Sequence, residues 1–203
     1  MTDLWATDAP AAWSAALERY RAVVDEQGVA RLPDLDRWYR DELPETIARR
    51  SPAHVTLTEL VRLAEWKMAR GVWRGPNLVL VRSNPPDAVV TTSTDALARR
   101  PHPTAPIATL ATLKGVGPAT ASAVAAASAP ELYPFFDELV AAQIPGLGTV
   151  AWTMAYYARY ATAIRERAAW LGPLWTPVMV ERALWSHVGG KSGVRARPSS
   201  RRS

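Results

Sequence analysis

The chain has 203 residues, of which 48% are hydrophobic and 21% are charged. This balance is typical of a folded globular protein and excludes an intrinsically disordered chain. No cysteine is present, which excludes disulfides, thiolate zinc sites and cysteine-ligated iron–sulfur clusters. The three histidines are scattered along the chain and indicate no metal site, so we expect neither a metal nor another cofactor.

The net charge of +5 belongs to the C-terminal end of the chain. Residues 191–203 contain five basic and no acidic residues, which leaves 19 basic and 19 acidic residues elsewhere. We expect 191–203 to be a disordered basic tail that either adds affinity for phosphate groups or only aids solubility. Residues 1–190 are expected to form one globular unit. Neither a signal-peptide pattern nor a membrane-spanning apolar run is found, so we expect a cytoplasmic protein without a membrane partner.

Apolar residues recur at helical spacing along most of the chain, which predicts an all-α, multi-helix globular fold. The best-defined helix spans 57–70, because Thr56 and Glu59 form a capping box and Gly71 supplies a C-terminal stop. An earlier helix is expected to end before Pro44. The nine tryptophans are expected to serve the core. The predicted helices span about 11–27, 34–42, 57–70, a short segment that ends near 112, 118–127, 136–142, 149–168 and 177–187. Residues 77–83 and 88–94 are rich in β-branched residues and could be strands by propensity, but we interpret them as helical turns because the sequence indicates no alternating partner strand.

One face of the helix at 57–70 carries an aromatic residue between two arginines. Arg62, Trp66 and Arg70 align about 180° from Leu57 at 100° per residue. Such a stripe can contact nucleic acid, since bases stack on the ring and guanidinium groups meet phosphates. Alternatively, another element covers Trp66 and the arginines are ordinary solvated residues.

The segment 113–121, Leu-Lys-Gly-Val-Gly-Pro-Ala-Thr-Ala, predicts a tight turn that leads into a helix. Gly115 and Gly117 allow a left-handed conformation and an unobstructed approach to a surface, while Val116 anchors the turn inward. Pro118 suits the first turn of a helix whose free N–H groups attract anions. The candidate nucleic-acid-binding residues are Lys114, Gly115, Val116, Gly117, Ala119 and Thr120.

This segment resembles the helix-hairpin-helix motif of the DNA glycosylase superfamily, which includes endonuclease III, the adenine glycosylases and the alkylpurine glycosylases. The motif has an apolar residue, then glycine, an apolar residue and a second glycine, followed by a threonine and a small residue. The matching residues here are Leu113, Gly115, Val116, Gly117, Thr120 and Ala121. The family's catalytic aspartate follows after one more helix and a short loop, and Asp137 stands 20 residues beyond Gly117. The resemblance covers about residues 105–140 and extends weakly back to Thr56.

The resemblance implies that Asp137 is catalytic. Cleavage of an N-glycosidic bond gives the sugar oxocarbenium character, and a nearby carboxylate stabilises that charge or orients the attacking water. The nucleotide must first be flipped out of the duplex, which requires a grip on the DNA backbone. The structural alternative is that Asp137 is the N-cap of the helix that begins at Glu138.

Departures from the family pattern narrow the implied activity. Bifunctional members carry a nucleophilic lysine where this chain has Ala119, so the resemblance implies a monofunctional DNA N-glycosylase of base-excision repair. Many members follow the aspartate with Thr-His, whereas this chain has Glu138 and Leu139, and the cysteine cluster of several branches is absent. Because monofunctional members without a cluster include alkylpurine enzymes, an alkylated purine is the implied substrate.

Two other functions stay open from the sequence. Residues 144–149, Ile-Pro-Gly-Leu-Gly-Thr, repeat the two-glycine pattern 31 residues after the first, as in tandem helix-hairpin-helix modules that bind duplex DNA without catalysis. The neutral balance of residues 1–190 favours instead a helical scaffold that has no nucleic-acid partner.

Overall fold

Residues 3–196 of the chain are described by a computed structural model, and side chains are described for residues 3–193. Every regular element in residues 3–196 is helical, which confirms the all-α prediction. The α-helices of this range are α1 (Pro10–Glu18), α2 (Tyr20–Asp25), α3 (Leu32–Arg37), α4 (Leu43–Ala48), α5 (Leu57–Arg70), α6 (Gly75–Arg82), α7 (Pro86–Ala98), α8 (Ala105–Leu110), α9 (Pro118–Ser128), α10 (Glu138–Ala141), α11 (Met154–Leu171), α12 (Pro177–His187) and α13 (Gly190–Ala196).

The start of α5 has the capping box that the sequence predicts. The Thr56 hydroxyl accepts a hydrogen bond from the Glu59 N–H at 3.3 Å, and the Glu59 carboxylate accepts one from the Thr56 N–H at 2.8 Å. Arg50 donates to both Glu59 carboxylate oxygens at 2.7 Å, so the cap is also an ion pair. The Arg50 bond and the cap hold the pKa of the Glu59 carboxyl below its usual value although burial opposes them.

Several helix boundaries differ from the prediction, and the helix expected at about 11–27 is divided at Arg19 into α1 and α2. The helical conformation does not end before Pro44, because a π-helical turn at Trp38–Glu42 connects α3 to α4 without a break. Pro44 then lies in the first turn of α4, where a missing N–H costs nothing. The helix predicted to start at 149 begins only at Met154, after the Thr153 hydroxyl caps it by accepting from the Tyr156 N–H.

The predicted disordered tail is wrong for its first residues, because 191–196 belong to α13. The side chain of Gln27 holds the start of this helix by donating to the Gly189 carbonyl and accepting from the Ser192 N–H. The Lys191 amine donates to the Gly71 carbonyl at the end of α5, at 2.7 Å. Residues 197–203 lie outside the described residues.

The buried side chains of α1 to α12 form one continuous apolar cluster, with α9 near its centre. Helix α9 contacts α4, α5 and α8, and its small residues from Ala119 to Ala127 are buried on every face. A helix that is apolar all round is expected in this position. Among residues 3–196 we find no helix with the length and apolarity needed to cross a bilayer.

The predicted exposed stripe on α5 is wrong. Trp66 is fully buried, stacks on the Tyr39 ring at 3.6 Å between centroids and donates its indole N–H to Asp36. Arg70 is 2% exposed, while Arg62 is exposed and lies over the Trp38 ring. Helix α3 and the π-helical turn cover this face of α5, so Trp66 cannot stack on a base.

Five polar side chains form a buried ionic network around Arg70. Glu181 of α12 pairs with both Arg70 and Arg40, and Arg40 Nη2 lies 3.0 Å from the Glu181 carboxylate. Tyr20 accepts hydrogen bonds from both arginines through its hydroxyl and donates to Asp36 at 2.7 Å. Glu181 has no exposed surface, so its charge depends entirely on these partners.

Because two buried arginines share Glu181, Glu181→Gln should destabilise the fold by about 3–5 kcal/mol, the usual cost of breaking a buried pair. The matched control is Glu45→Gln on α4, since Glu45 and its partner Arg49 are both exposed. That control should change stability by less than about 1 kcal/mol. Urea-induced unfolding measures both variants, and equal losses would contradict the importance of the network.

Candidate functional site

The two-glycine turn, residues 113–117, joins α8 to α9 with the conformation that the sequence predicts. Gly115 adopts a φ of +72°, in the left-handed region that favours glycine. Gly117 is extended and occupies the N-cap position of α9. Val116 is 4% exposed and donates its N–H to the Leu113 carbonyl at 3.1 Å, so it does anchor the turn inward. Lys114 is exposed beside it.

Two asparagines fix the backbone of the turn: Asn77 lies in α6, and Asn84 lies two residues after the end of that helix. The side-chain amide of Asn84 donates to the Lys114 carbonyl and accepts from the Lys114 N–H, both at 2.9 Å. Asn77 donates to the Gly115 carbonyl at 3.0 Å. Sequence patterns did not single out these residues, because the contacts join residues that are 30 and 38 positions apart. The turn is therefore held in place before any ligand binds.

The turn presents free backbone donors. No hydrogen bond within the described residues involves the N–H groups of Gly117, Ala119 or Thr120, at the start of α9. A Cβ atom added to Gly117 would meet no atom within 4 Å, so the surface above the turn is open. Thr120 is only 1% exposed, which leaves its hydroxyl little access to a ligand at the surface. The accessible donors are thus mainly backbone groups.

Asp137 ends the segment 133–137, which has no regular secondary structure and precedes α10. The Ser122 hydroxyl of α9 accepts from the Phe136 N–H at 2.9 Å. On the other side, the Tyr160 hydroxyl of α11 donates to the Phe135 carbonyl at 2.6 Å. Because α9 and α11 hold this segment from both sides, the position of Asp137 is fixed by the core.

Both carboxylate oxygens of Asp137 have partners. Oδ1 accepts from the Leu139 N–H at 2.8 Å, so the N-cap predicted as the structural alternative is present. Oδ2 lies 3.3 Å from Arg70 Nε, in an ion pair without hydrogen-bond geometry. Burial raises the pKa of the Asp137 carboxyl, and the Arg70 guanidinium and the Leu139 N–H oppose that shift.

Asp137 and the two-glycine turn line the same cleft, which consists of two adjoining cavities. The cavity at Asp137, of about 540 Å³ including space open to solvent, is also lined by Arg70, Phe136 and Glu138. The cavity at the turn, of about 550 Å³ on the same measure, is lined by Gly115, Gly117 and Thr120. Four residues line both cavities and make the cleft continuous: Lys67, Arg74, Ala119 and Trp152.

Three of these shared residues were not predicted to be functional. Trp152, which we expected in the core, is 45% exposed at the cleft, and its ring centroid lies 4.9 Å from that of Phe136. Lys67 and Arg74 bring cationic groups from the end of α5 and the following loop. Helical spacing places Lys67 one turn before Arg70, whereas Arg74 follows the end of α5 and reaches the cleft only through tertiary packing.

The second glycine pattern, at 144–149, does not reproduce the first turn. Gly146 and Gly148 both have positive φ, of +79° and +72°, whereas Gly117 at the matching second position is extended. No helix begins directly after Gly148, since α11 starts only at Met154. The second pattern therefore lacks the adjoining helix N-terminus that gives the first turn its free donors.

No protein-family model, curated protein or solved structure matches the chain. Within the described residues, no group of three or more histidine, aspartate or glutamate side chains could hold a metal ion. The described cleft offers backbone N–H donors, cationic side chains, a carboxylate pair and an aromatic ring.

The two glycines of the turn should differ in their response to alanine. Gly115→Ala should lower stability by about 1–2 kcal/mol through its left-handed φ, and further because the new Cβ would lie 2.8 Å from the Asn77 carbonyl oxygen of α6. Gly117→Ala, in extended backbone with open space, should change stability by less than about 0.5 kcal/mol. Urea midpoints compare the two, and a tolerated Gly115→Ala would show that the turn does not need its observed conformation.

Proposed function

We propose that the protein binds the backbone of duplex DNA through the two-glycine turn, as a helix-hairpin-helix motif does, and hydrolyses an N-glycosidic bond in the adjoining cleft. The observation that most supports this proposal is that the turn and Asp137, separated by 20 residues in sequence, line one continuous cleft. A site that can bind the DNA backbone therefore lies beside a buried carboxylate. The resemblance to the DNA glycosylases requires the same arrangement.

Backbone binding is supported by the chemistry of the turn. The free N–H groups of Gly117, Ala119 and Thr120 sit at the positive end of the α9 dipole, which suits a phosphate oxygen. Lys114 on the turn and Arg74 in the cleft add positive charge nearby. The contacts are to backbone, so we expect affinity that depends on salt more than on sequence.

Base excision is supported by the environment of Asp137. A carboxylate in a partly dry cleft interacts more strongly with a developing oxocarbenium ion than one in water does. Arg70 opposes the effect of burial on the Asp137 pKa and thereby favours the anion. Trp152, rather than Trp66, offers an exposed ring on which a flipped base could stack. The damaged base best matched by the resemblance is an alkylated purine.

A binding function without catalysis is the second candidate, and the contacts of Asp137 favour it. One carboxylate oxygen caps α10 and the other pairs with Arg70, which is sufficient to explain a buried aspartate at this position. The tandem arrangement has less support, because the second glycine pattern lacks an adjoining helix. A helical scaffold that binds no nucleic acid is the outcome if duplex binding is absent.

Gly117→Val should lower duplex affinity at least about tenfold, because the added side chain projects into the open space where a phosphate would approach. Circular dichroism should show unchanged helix content, since nothing in the fold contacts that space. Binding is measured by fluorescence anisotropy at several salt concentrations. A folded variant with wild-type affinity would remove the turn from the interface.

Asp137→Asn should slow single-turnover base release by about 10² or more, the effect of losing one electrostatic stabiliser worth about 3 kcal/mol. Asparagine still caps α10 but removes the carboxylate that pairs with the buried Arg70, so the free energy of unfolding should fall, whereas the affinity of the folded variant for abasic duplex should stay near wild type. The matched control is Glu138→Gln, which removes the exposed neighbouring carboxylate of the same cleft and should change the rate by less than about threefold.

The assay uses duplexes that carry alkylated, deaminated or oxidised bases. The proposed mechanism needs the ionised carboxylate of Asp137, whose pKa is raised above the ordinary 3.8. The wild-type rate should therefore fall as the pH decreases through a midpoint above 3.8. Wild-type protein that binds duplex but releases no base would establish the binding function alone. Equal rates for wild type and Asp137→Asn would exclude Asp137 as the catalytic residue.

A further inference from the structure

Lys67 is the cleft residue that the proposed hydrolysis leaves unused. It lies one helical turn before Arg70 on α5, and its side chain lines both cavities together with Ala119. Within the described residues its amine forms no hydrogen bond and no ion pair. The Lys191 amine at the same cleft differs, since it donates to the Gly71 carbonyl.

The environment of Lys67 lowers the pKa of its amine. Burial lowers the pKa of Lys67, and the nearby Arg74 guanidinium lowers it further, while the carboxylates of Asp137 and Glu138 act in the opposite direction. A desolvated lysine beside another cation is a recognised form of activated amine nucleophile.

We propose that Lys67 is a nucleophilic residue that forms an imine with an aldehyde carbon held in the cleft. This inference rests on the proposed function, because hydrolysis of an N-glycosidic bond leaves a hemiacetal sugar in equilibrium with its open-chain aldehyde. The Lys67 nitrogen forms a bond to the aldehyde carbon, and the carbon–oxygen bond breaks. The oxygen leaves as water with both amine protons, so no oxidant or reductant is needed.

The position of Lys67 bears on the sequence-based prediction that the protein forms no imine with its substrate. From the sequence, Ala119 in place of the family's nucleophilic lysine implied that imine chemistry is absent. Lys67 on α5 nevertheless lines the same two cavities as Ala119. A protein without the amine on α9 therefore carries one on a neighbouring helix.

Reductive trapping tests the imine. The full chain is incubated with a duplex that contains an abasic site, borohydride is added, and the covalent adduct is separated under denaturing conditions. The sequence contains three lysines, so peptide mapping by mass spectrometry assigns the adduct cleanly. We expect the adduct at Lys67, a loss of at least about tenfold in Lys67→Arg, and less than about twofold change in the control Lys191→Arg. Arginine keeps the charge but stays protonated.

Two parallel measurements separate this inference from the proposed function. Anisotropy with the same abasic duplex shows whether DNA binds at all. Formaldehyde with cyanoborohydride methylates neutral amines without DNA, and Lys67 should react faster than Lys114 near neutral pH.

Duplex binding without an adduct, or an adduct at another amine, would overturn the inference while DNA binding stands. A Lys67 amine no more reactive than Lys114 toward formaldehyde would overturn it independently of DNA. Absence of duplex binding would overturn the proposed function and the sugar as substrate, and fast methylation would then support Lys67 only as a nucleophile toward other aldehydes.

Discussion

The ion pair between Arg70 and Glu181 is the interaction on which the rest of the structure depends. Arg70 joins α5 to α12 through Glu181, to α2 through the Tyr20 hydroxyl, and to the start of α10 through Asp137. A buried guanidinium is tolerated only because these partners surround it. The same guanidinium also opposes the effect of burial on the pKa of the Asp137 carboxyl. The charges of the cleft and of the buried network are therefore coupled through Arg70, which pairs with Asp137 on one side and Glu181 on the other.

This network explains why the periodicity of α5 was misleading. A helical projection correctly places Arg62, Trp66 and Arg70 on one face, and arginine on such a face normally indicates solvent. Here the polar partners come from distant parts of the chain: Asp36 accepts the indole N–H of Trp66, and Glu181 pairs with the Arg70 guanidinium. Local patterns contain no information about such partners. An amphipathic projection can thus identify the face but not what covers it.

The parts of the site that the sequence predicts are local ones. The left-handed Gly115, the inward Val116 and the capping position of Asp137 follow from short segments whose conformation depends on neighbouring residues. Lys67 and Trp152 could not be predicted, because they reach the cleft only through the packing of α5 and the path before α11. The same holds for the asparagines that fix the turn.

The attachment of the turn to α6 has a thermodynamic consequence. Asn77 and Asn84 hold the backbone around Gly115 by hydrogen bonds, so the turn has little conformational freedom to lose when a ligand arrives. A binding surface that is already ordered buries little additional apolar area on association. Calorimetry of such a complex would show a small change in heat capacity, unlike the large negative change of a segment that folds as it binds.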